Sequence, residues 1–281
     1  MSLLSRRDFI MKDGYIMNTP EINNIITEKQ AQITTHVSMM VDKTMEYYNN
    51  HFPTENFPKP EVSISNGLRE DAIEKLAELG YPNSFIELYS KRGSWNSTAA
   101  LTLCHNPMNM FSIIVNIQSI REDTLFHELV HVSDYYSYYE SQDNRNLSFL
   151  EFLESEDYSW VYLLSEYRAF YRCGVLFSDS ITYDIQTIWE LSLQRQRQAV
   201  EYDQLEAYYY ELMKFSGIYC ATLEKTAAKV EIAEMMKRGE TEGPMQRLIS
   251  FLYTIKDQTF PDLRKHAQTL NEILQEFLKT E

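Results

Sequence analysis

The apolar positions of this chain follow a helical repeat over most of its length and give way to strand-like runs only between about residues 61 and 117. From Pro20 onward, Ile22, Ile25, Ile26, Ile33, Val37 and Met40 fall on one side of a 3.6-residue repeat and predict a helix. Pro53, Pro58 and Pro60 then break the chain. Glu61 to Ser65 reads as a short strand, and Gly67 to Leu79 as a helix carrying Leu68, Ile73, Leu76 and Leu79, closed by Gly80 and Pro82. Ala99 to Leu103 and Met110 to Ile117 are β-like and flank the turn-rich His105-Asn106-Pro107 stretch, which predicts a hairpin. After Ser119 the pattern is helical. Asp123 or Thr124 can cap a helix running to about Tyr139, and Asp143 to Asn146 form a polar break. A helix from about Asp157 to Cys173, ended by Gly174, follows. Further on, Leu205, Tyr208, Leu212, Phe215 and Tyr219 recur at steps of three and four, as do Leu263, Ala267, Leu270, Leu274 and Phe277. Such stripes face a core or a partner.

These elements predict an α+β fold that is predominantly helical. A small antiparallel sheet, from residues around 61–65 and 95–117, is expected to pack on the helix of residues 123–139, with the helix of residues 157–173 beside it. Residues 1–19 read as a loose lead-in and 20–179 as one domain. Residues 180–281 form a helical region that completes the same core or makes a second lobe, with Phe177 to Ser180 the best candidate boundary. No internal repeat and no Gly/Ser linker is visible.

Composition narrows the function classes. Twenty Tyr, fourteen Phe and three Trp against eight Gly and eight Pro suit long helices packed through aromatic rings. A net charge of −15 argues against nucleic acid and against anionic membranes, both of which call for clustered Lys and Arg. Cys104, Cys173 and Cys220 lack both the CxxC spacing of a zinc ribbon and the even count of a disulfide framework. Reduced thiols in a cytoplasm fit best. Met1 to Asp13 contains Arg6-Arg7, but Asp8, Lys12 and Asp13 interrupt the apolar stretch of a signal peptide. No run of about 18 apolar residues predicts a membrane span.

The chemistry concentrates in His127-Glu128-Leu129-Val130-His131. On a helix, two His four residues apart project from one face, so both imidazoles can reach one metal ion with Glu128 beside it. Zinc hydrolases commonly use three protein ligands and leave the fourth position to water. No His follows His131 until His266, so a carboxylate is the expected third ligand; Asp134, Glu140, Glu151, Glu154, Glu156, Asp157 and Glu166 are available. Asp134 sits on nearly the same face as the two His but about 10 Å along the axis from His127. Glu166, inside the next amphipathic helix, is favoured; its plain alternative is a carboxylate paired with Arg168 or Arg172. For the His pair the plain alternative is two ordinary surface or core histidines.

The motif, the strand before it and the Glu after it resemble the gluzincin group of zinc metallopeptidases. In that group, HExxH lies on one helix, the ligand Glu on the next, and an antiparallel edge strand just before the active helix. A looser similarity is to prokaryotic and phage-associated HExxH proteins with a Ser-Glu-x-x-Ala segment, matched by Ser165, Glu166 and Ala169. The likeness covers roughly residues 95–175. It departs from thermolysin-like members in having Ser165 before the ligand Glu and Phe170 four residues after it. The resemblance implies Zn2+ held by His127, His131 and Glu166, Glu128 as general base, and a peptide or protein as substrate. Tyr135, Tyr167 and His105 stand open as donors to the tetrahedral intermediate, and Asp134 as a group that orients a ligand imidazole. The Tyr135, Tyr136, Tyr138 and Tyr139 cluster is expected to pack rather than line a cleft, and Cys173 to be a buried structural thiol.

A second reading, from a different class, is a regulator or interaction protein with a structural or vestigial zinc site and partner-binding C-terminal helices, motivated by the acidic helices between Gln194 and Lys237. Glu128 speaks against it, because a structural site needs no general base. A deaminase calls for an HxE motif and a PCxxC, neither of which occurs.

Overall fold

A computed structural model describes residues 20–91, 95, 98–142, 147–177, 185–202, 204–226 and 242–279, with only the backbone at 20–31, 34, 226 and 242. The lead-in of residues 1–19 lies outside the described residues. So do the Ile22, Ile25 and Ile26 side chains, the polar break at 143–146, all of the candidate boundary but Phe177, and residues 227–241.

The long first helix, α1 (Pro20–His51), starts at the expected proline and ends before Pro53. Val37 and Val41 are buried, and Ile33 and Met40 pack against the same core. Strand β1 (Glu61–Ser65) follows, then α2 (Leu68–Glu78) and a helix the periodicity did not announce, α3 (Asn83–Ser90). The predicted hairpin is β2 (Ala100–Cys104) with β3 (Phe111–Asn116). The sheet is nevertheless mixed, a correction to the antiparallel expectation. Its order is β1-β3-β2, and β1 runs parallel to β3, Glu61 opposite Ser112 and Ser65 opposite Asn116. The physical reason is the connection: after α2 and α3 the chain enters at the far edge as β2, running opposite to β1, and the hairpin then turns it back, so that β3 fills the place between them and runs parallel to β1.

Alternation then sorts the sheet's two faces. Phe111, Ile113, Val115, Ala100 and Cys104 join the main core, while Ile114 and Leu103 join Leu68, Ala72, Leu76 and Tyr81 beneath α2. On the main-core side lies α4 (Glu122–Glu140), which carries the HExxH motif. It begins just ahead of the expected caps, with Arg121 at the N-cap and Glu122 and Asp123 in the first turn, where carboxylates favour the helix dipole.

The short α5 (Phe149–Leu153) is set by a capping box between Ser148 and Glu151. The next helix, α6 (Tyr158–Phe177), does not stop at Gly174. That residue is a packing glycine: a Cβ there would sit 2.5 Å from the Ala221 Cβ on α8 (Leu205–Thr226). Gly217 makes the matching approach, its would-be Cβ 2.7 Å from the Tyr167 carbonyl oxygen and 2.8 Å from the Phe170 Cβ. The pairs 170/217 and 174/221 place α6 and α8 parallel and in backbone contact, with α7 (Ile185–Glu201) as the return between them.

Helices α9 (Glu242–Ile255), α10 (Phe260–Leu263) and α11 (Ala267–Phe277) close the chain. Both predicted stripes are core: Tyr208, Leu212, Phe215 and Tyr219 are buried, as are Leu263, Leu270, Leu274 and Phe277, though Leu205 is exposed. One continuous apolar cluster runs from Val37 to Phe277, so the helices beyond residue 185 share a core with the motif helix. Each such large side chain contributes roughly 1.5–3 kcal/mol when fully buried. No helix of the described residues is long and apolar enough to cross a membrane.

Candidate metal centre

Helices α4 and α6 run antiparallel, with His131 beside Ser165, His127 beside Phe170 and Tyr138 beside Trp160. Residues four apart on α4 and single residues on α6 therefore meet at one level. His127 Nε2 lies 3.1 Å from His131 Nε2, and the two Glu166 oxygens lie 3.7 Å from the two imidazole nitrogens. Ligand atoms of all three residues fall within 4.8 Å of one another. Ligands about 2.1 Å from a tetrahedral ion stand roughly 3.4 Å apart, so two nitrogens and a carboxylate at these spacings fit zinc. His131 and Glu166 are buried and His127 nearly so.

The surroundings orient each ligand. Ser165 Oγ sits 2.8 Å from His131 Nδ1, which leaves Nε2 turned toward Glu166. Ser165 also interacts with Asp134, whose Oδ1 accepts from Arg168 Nε at 3.0 Å. Burial raises the Asp134 pKa to about 6 against the pull of Arg168 and Arg172. Asp134 thus stands behind His131 through Ser165. Cys173 is a partly buried free thiol. Its Sγ contacts His127 and donates to the Asp123 carbonyl oxygen at 3.4 Å. Burial alone would depress the His127 pKa, but Cys173 and Glu166 outweigh it and hold it well above the ordinary imidazole value; at His131 burial prevails and the pKa is lowered.

Glu128 is buried, and Thr102 Oγ1 donates to its Oε2 at 2.7 Å. Thr102 occupies the helix-facing row of β2, between Ala100 and Cys104, where a purely structural strand would carry an apolar residue. That break in the alternation was the signal available in the sequence.

The three open donor candidates separate. Tyr135 stacks on His131, ring centroids 6.0 Å apart, and is buried near Glu166. Tyr167 instead donates to the Leu252 carbonyl oxygen at 3.1 Å, held by α9. His105 pairs with Ser112 Oγ at 2.8 Å and faces Glu61 and Lys75 across the sheet. There a groove of about 340 Å³ between β1 and α2 is lined by Glu61, Asp71, Glu74 and Glu78 and lies away from the triad. Two tyrosines unnoticed in the sequence enter instead: Tyr162 feels the charge of Glu166, and Tyr210 those of Glu166 and Glu128. The 135–139 cluster packs, with Tyr135, Tyr138 and Tyr139 in the core.

Arg168 and Arg172 do not pair with Glu166. Glu55, from the loop after α1, accepts from Arg168 Nη2 at 3.0 Å and from Arg172 at 2.8 and 2.5 Å, and also from Tyr48 and Ser133. Arg172 lies 3.8 Å over the Phe52 ring. Burial would raise the Glu55 pKa, but the two guanidinium groups hold it far below the usual carboxylate range.

The chain matches no known family model, no curated protein and no solved structure. What it does must be read from this arrangement of side chains.

Proposed function

We propose that the chain is a zinc-dependent metallopeptidase of gluzincin type, working in the cytoplasm on a peptide or protein. The single observation behind the reading is the convergence of His127, His131 and Glu166, with Glu128 fixed beside them by Thr102. His127 and His131 would give the metal their Nε2 atoms and Glu166 its carboxylate. Zinc held there polarises a carbonyl and lowers the pKa of water toward ~7. Glu128 takes a proton from the attacking water and delivers it to the leaving amine, a role worth on the order of 10²- to 10⁴-fold. Its Oε2 is engaged by Thr102, so Oε1 is the oxygen presented for that transfer. Tyr135, Tyr162 and Tyr210 all lie within electrostatic reach of Glu166, which makes their hydroxyls the candidate donors for developing negative charge. The strand just before α4, β3, is the central strand and not the antiparallel edge strand that the likeness implies; the antiparallel edge strand β2 instead contacts α4 through Thr102. Three free cysteines suit a reducing compartment.

The test is metal content followed by turnover. The native chain is expected to take up about one zinc, His127→Ala, His131→Ala and Glu166→Ala to lose it, and Glu128→Gln to keep it without cleaving peptides. Full cleavage by Glu128→Gln would overturn the mechanism, and undiminished uptake by Glu166→Ala would remove the third ligand.

A further inference from the structure

The α8 wall brings a cation to the triad. Lys214 stands one turn after Tyr210, its ammonium 5.6 Å over the Phe170 ring and 5.8 Å over the Tyr210 ring. Phe170 lies edge-on to His127 with ring centroids 4.7 Å apart, so this one ring contacts both the ammonium and the imidazole. The side chain is 24% exposed, and its position is fixed by the close seating of α8 at Gly217.

Aromatic faces hold an ammonium in place but give its three N–H donors no oxygen. The nearest carboxylate oxygen, Glu211 Oε1, is 3.9 Å away and is engaged by Arg195 at 3.2 Å. Among the described residues Lys214 has no closer oxygen partner. We propose that Lys214 binds a carboxylate of the substrate, so that this site acts on peptides carrying a carboxylate close to the bond that is cut. The inference rests on the metallopeptidase reading and deepens it.

Charge selects the ligand class. With zinc in place, the dication, Lys214 and Arg195 set against Glu128, Glu166 and Glu211 would leave a net charge of +1, which a monoanion balances and a phosphate dianion overshoots. Burial also pulls the Lys214 pKa down, aided by Arg195 and opposed by Glu211 and Glu166, so an arriving carboxylate relieves a cost already present. A carboxylate beside the scissile bond is either the chain terminus or an Asp or Glu side chain; both present the same group to Lys214.

The experiment compares two probes on the zinc-loaded full chain by calorimetry: glutaric acid monohydroxamate and its terminal amide, which share the metal-binding hydroxamate. A charged hydrogen bond of this kind corresponds to about a 10- to 100-fold tighter Kd for the acid. Lys214→Met should abolish that preference while retaining native zinc stoichiometry, which also reports that it folds, and Lys214→Arg should keep most of it. Equal affinities in the native chain, or a preference that survives in Lys214→Met, would overturn the proposal with the metal site intact. A chain that takes up no zinc overturns the underlying reading and this one with it. Short peptides bound to the zinc-loaded Glu128→Gln chain assign the source: loss on C-terminal amidation marks the terminal carboxylate, and dependence on Asp or Glu marks a side chain. Affinity indifferent to both counts against Lys214.

Discussion

Helix α6 carries two stripes that handle buried charge in opposite ways. Ser165, Arg168 and Arg172 form one; Glu166, Phe170 and Cys173 form the other. Along the first, every charge meets its complement: Arg168 reaches Asp134 and Glu55, and Arg172 reaches Glu55 and Tyr48. Donor faces acceptor at each of these pairs, with Asp134 Oδ2 alone among their carboxylate oxygens left without a hydrogen-bond partner, and the result ties the α1–β1 loop, α4 and α6 together. Along the second stripe, Glu166 faces two imidazole nitrogens that also face each other. Acceptor atoms that converge hold either a proton or a metal ion. Burial of charge is therefore a poor marker of a site; what matters is which kinds of atoms meet.

Substitutions can separate the stripes. The largest effect should come from Glu55→Gln, which leaves Arg168 and Arg172 buried without their carboxylate. A loss of about 3–5 kcal/mol is expected in denaturant unfolding, with zinc stoichiometry unchanged in the folded fraction. If zinc uptake fell while stability held, the two stripes would not be separate devices.

The same residue sets an acid limb. The folded pKa of Glu55 is depressed, so its contribution is fully present above the ordinary value of 4.5 and is lost as pH falls toward the folded value. Melting temperature followed downward from pH 6 should drop in the native chain and drop less steeply in Glu55→Gln.

Ser165→Ala touches both stripes through one hydroxyl. Zinc affinity should weaken about 10- to 100-fold, because the His131 ring loses its partner at Nδ1, while unfolding changes little. A stability loss without a change in affinity would assign Ser165 to the structural stripe. The smallest effect is expected from Thr102→Val: turnover about tenfold lower at unchanged zinc affinity, restored by Thr102→Ser. Equal turnover in both variants would show that the hydroxyl does not position Glu128.

Much of the triad could be read before any coordinates, because HExxH on a helix and a Glu on the next helix are local patterns governed by the 3.6-residue repeat. The β2–β3 hairpin was legible for the same reason. The parallel seat of β1 was not, since strand direction depends on where the chain goes between strands rather than on the strand's own residues. Gly174 misled because a helix-ending glycine and a helix-packing glycine look alike until Ala221 is brought against it. Glu55 stands 113 residues before Arg168, too far for any spacing rule. Tyr210 and Lys214 fall beside the apolar stripe of α8 and belong to no motif, and only the packing of α8 on α6 brings them against Phe170.

The two glycine contacts between α6 and α8 also restrict how α8 can move against the helix that carries Glu166. Gly217 lies against the Tyr167 carbonyl and Gly174 against Ala221, two points one helical turn apart. A slide of α8 by a single residue would advance it about 1.5 Å and turn it by roughly 100°, driving the side chains of Ser216 or Ile218 into backbone. Sliding is blocked, and so is rotation about the helix's own axis. With Tyr208, Leu212 and Met213 also buried in the core, the N-terminal half of α8 is held as well, and Tyr210 and Lys214 face Phe170 from a fixed wall.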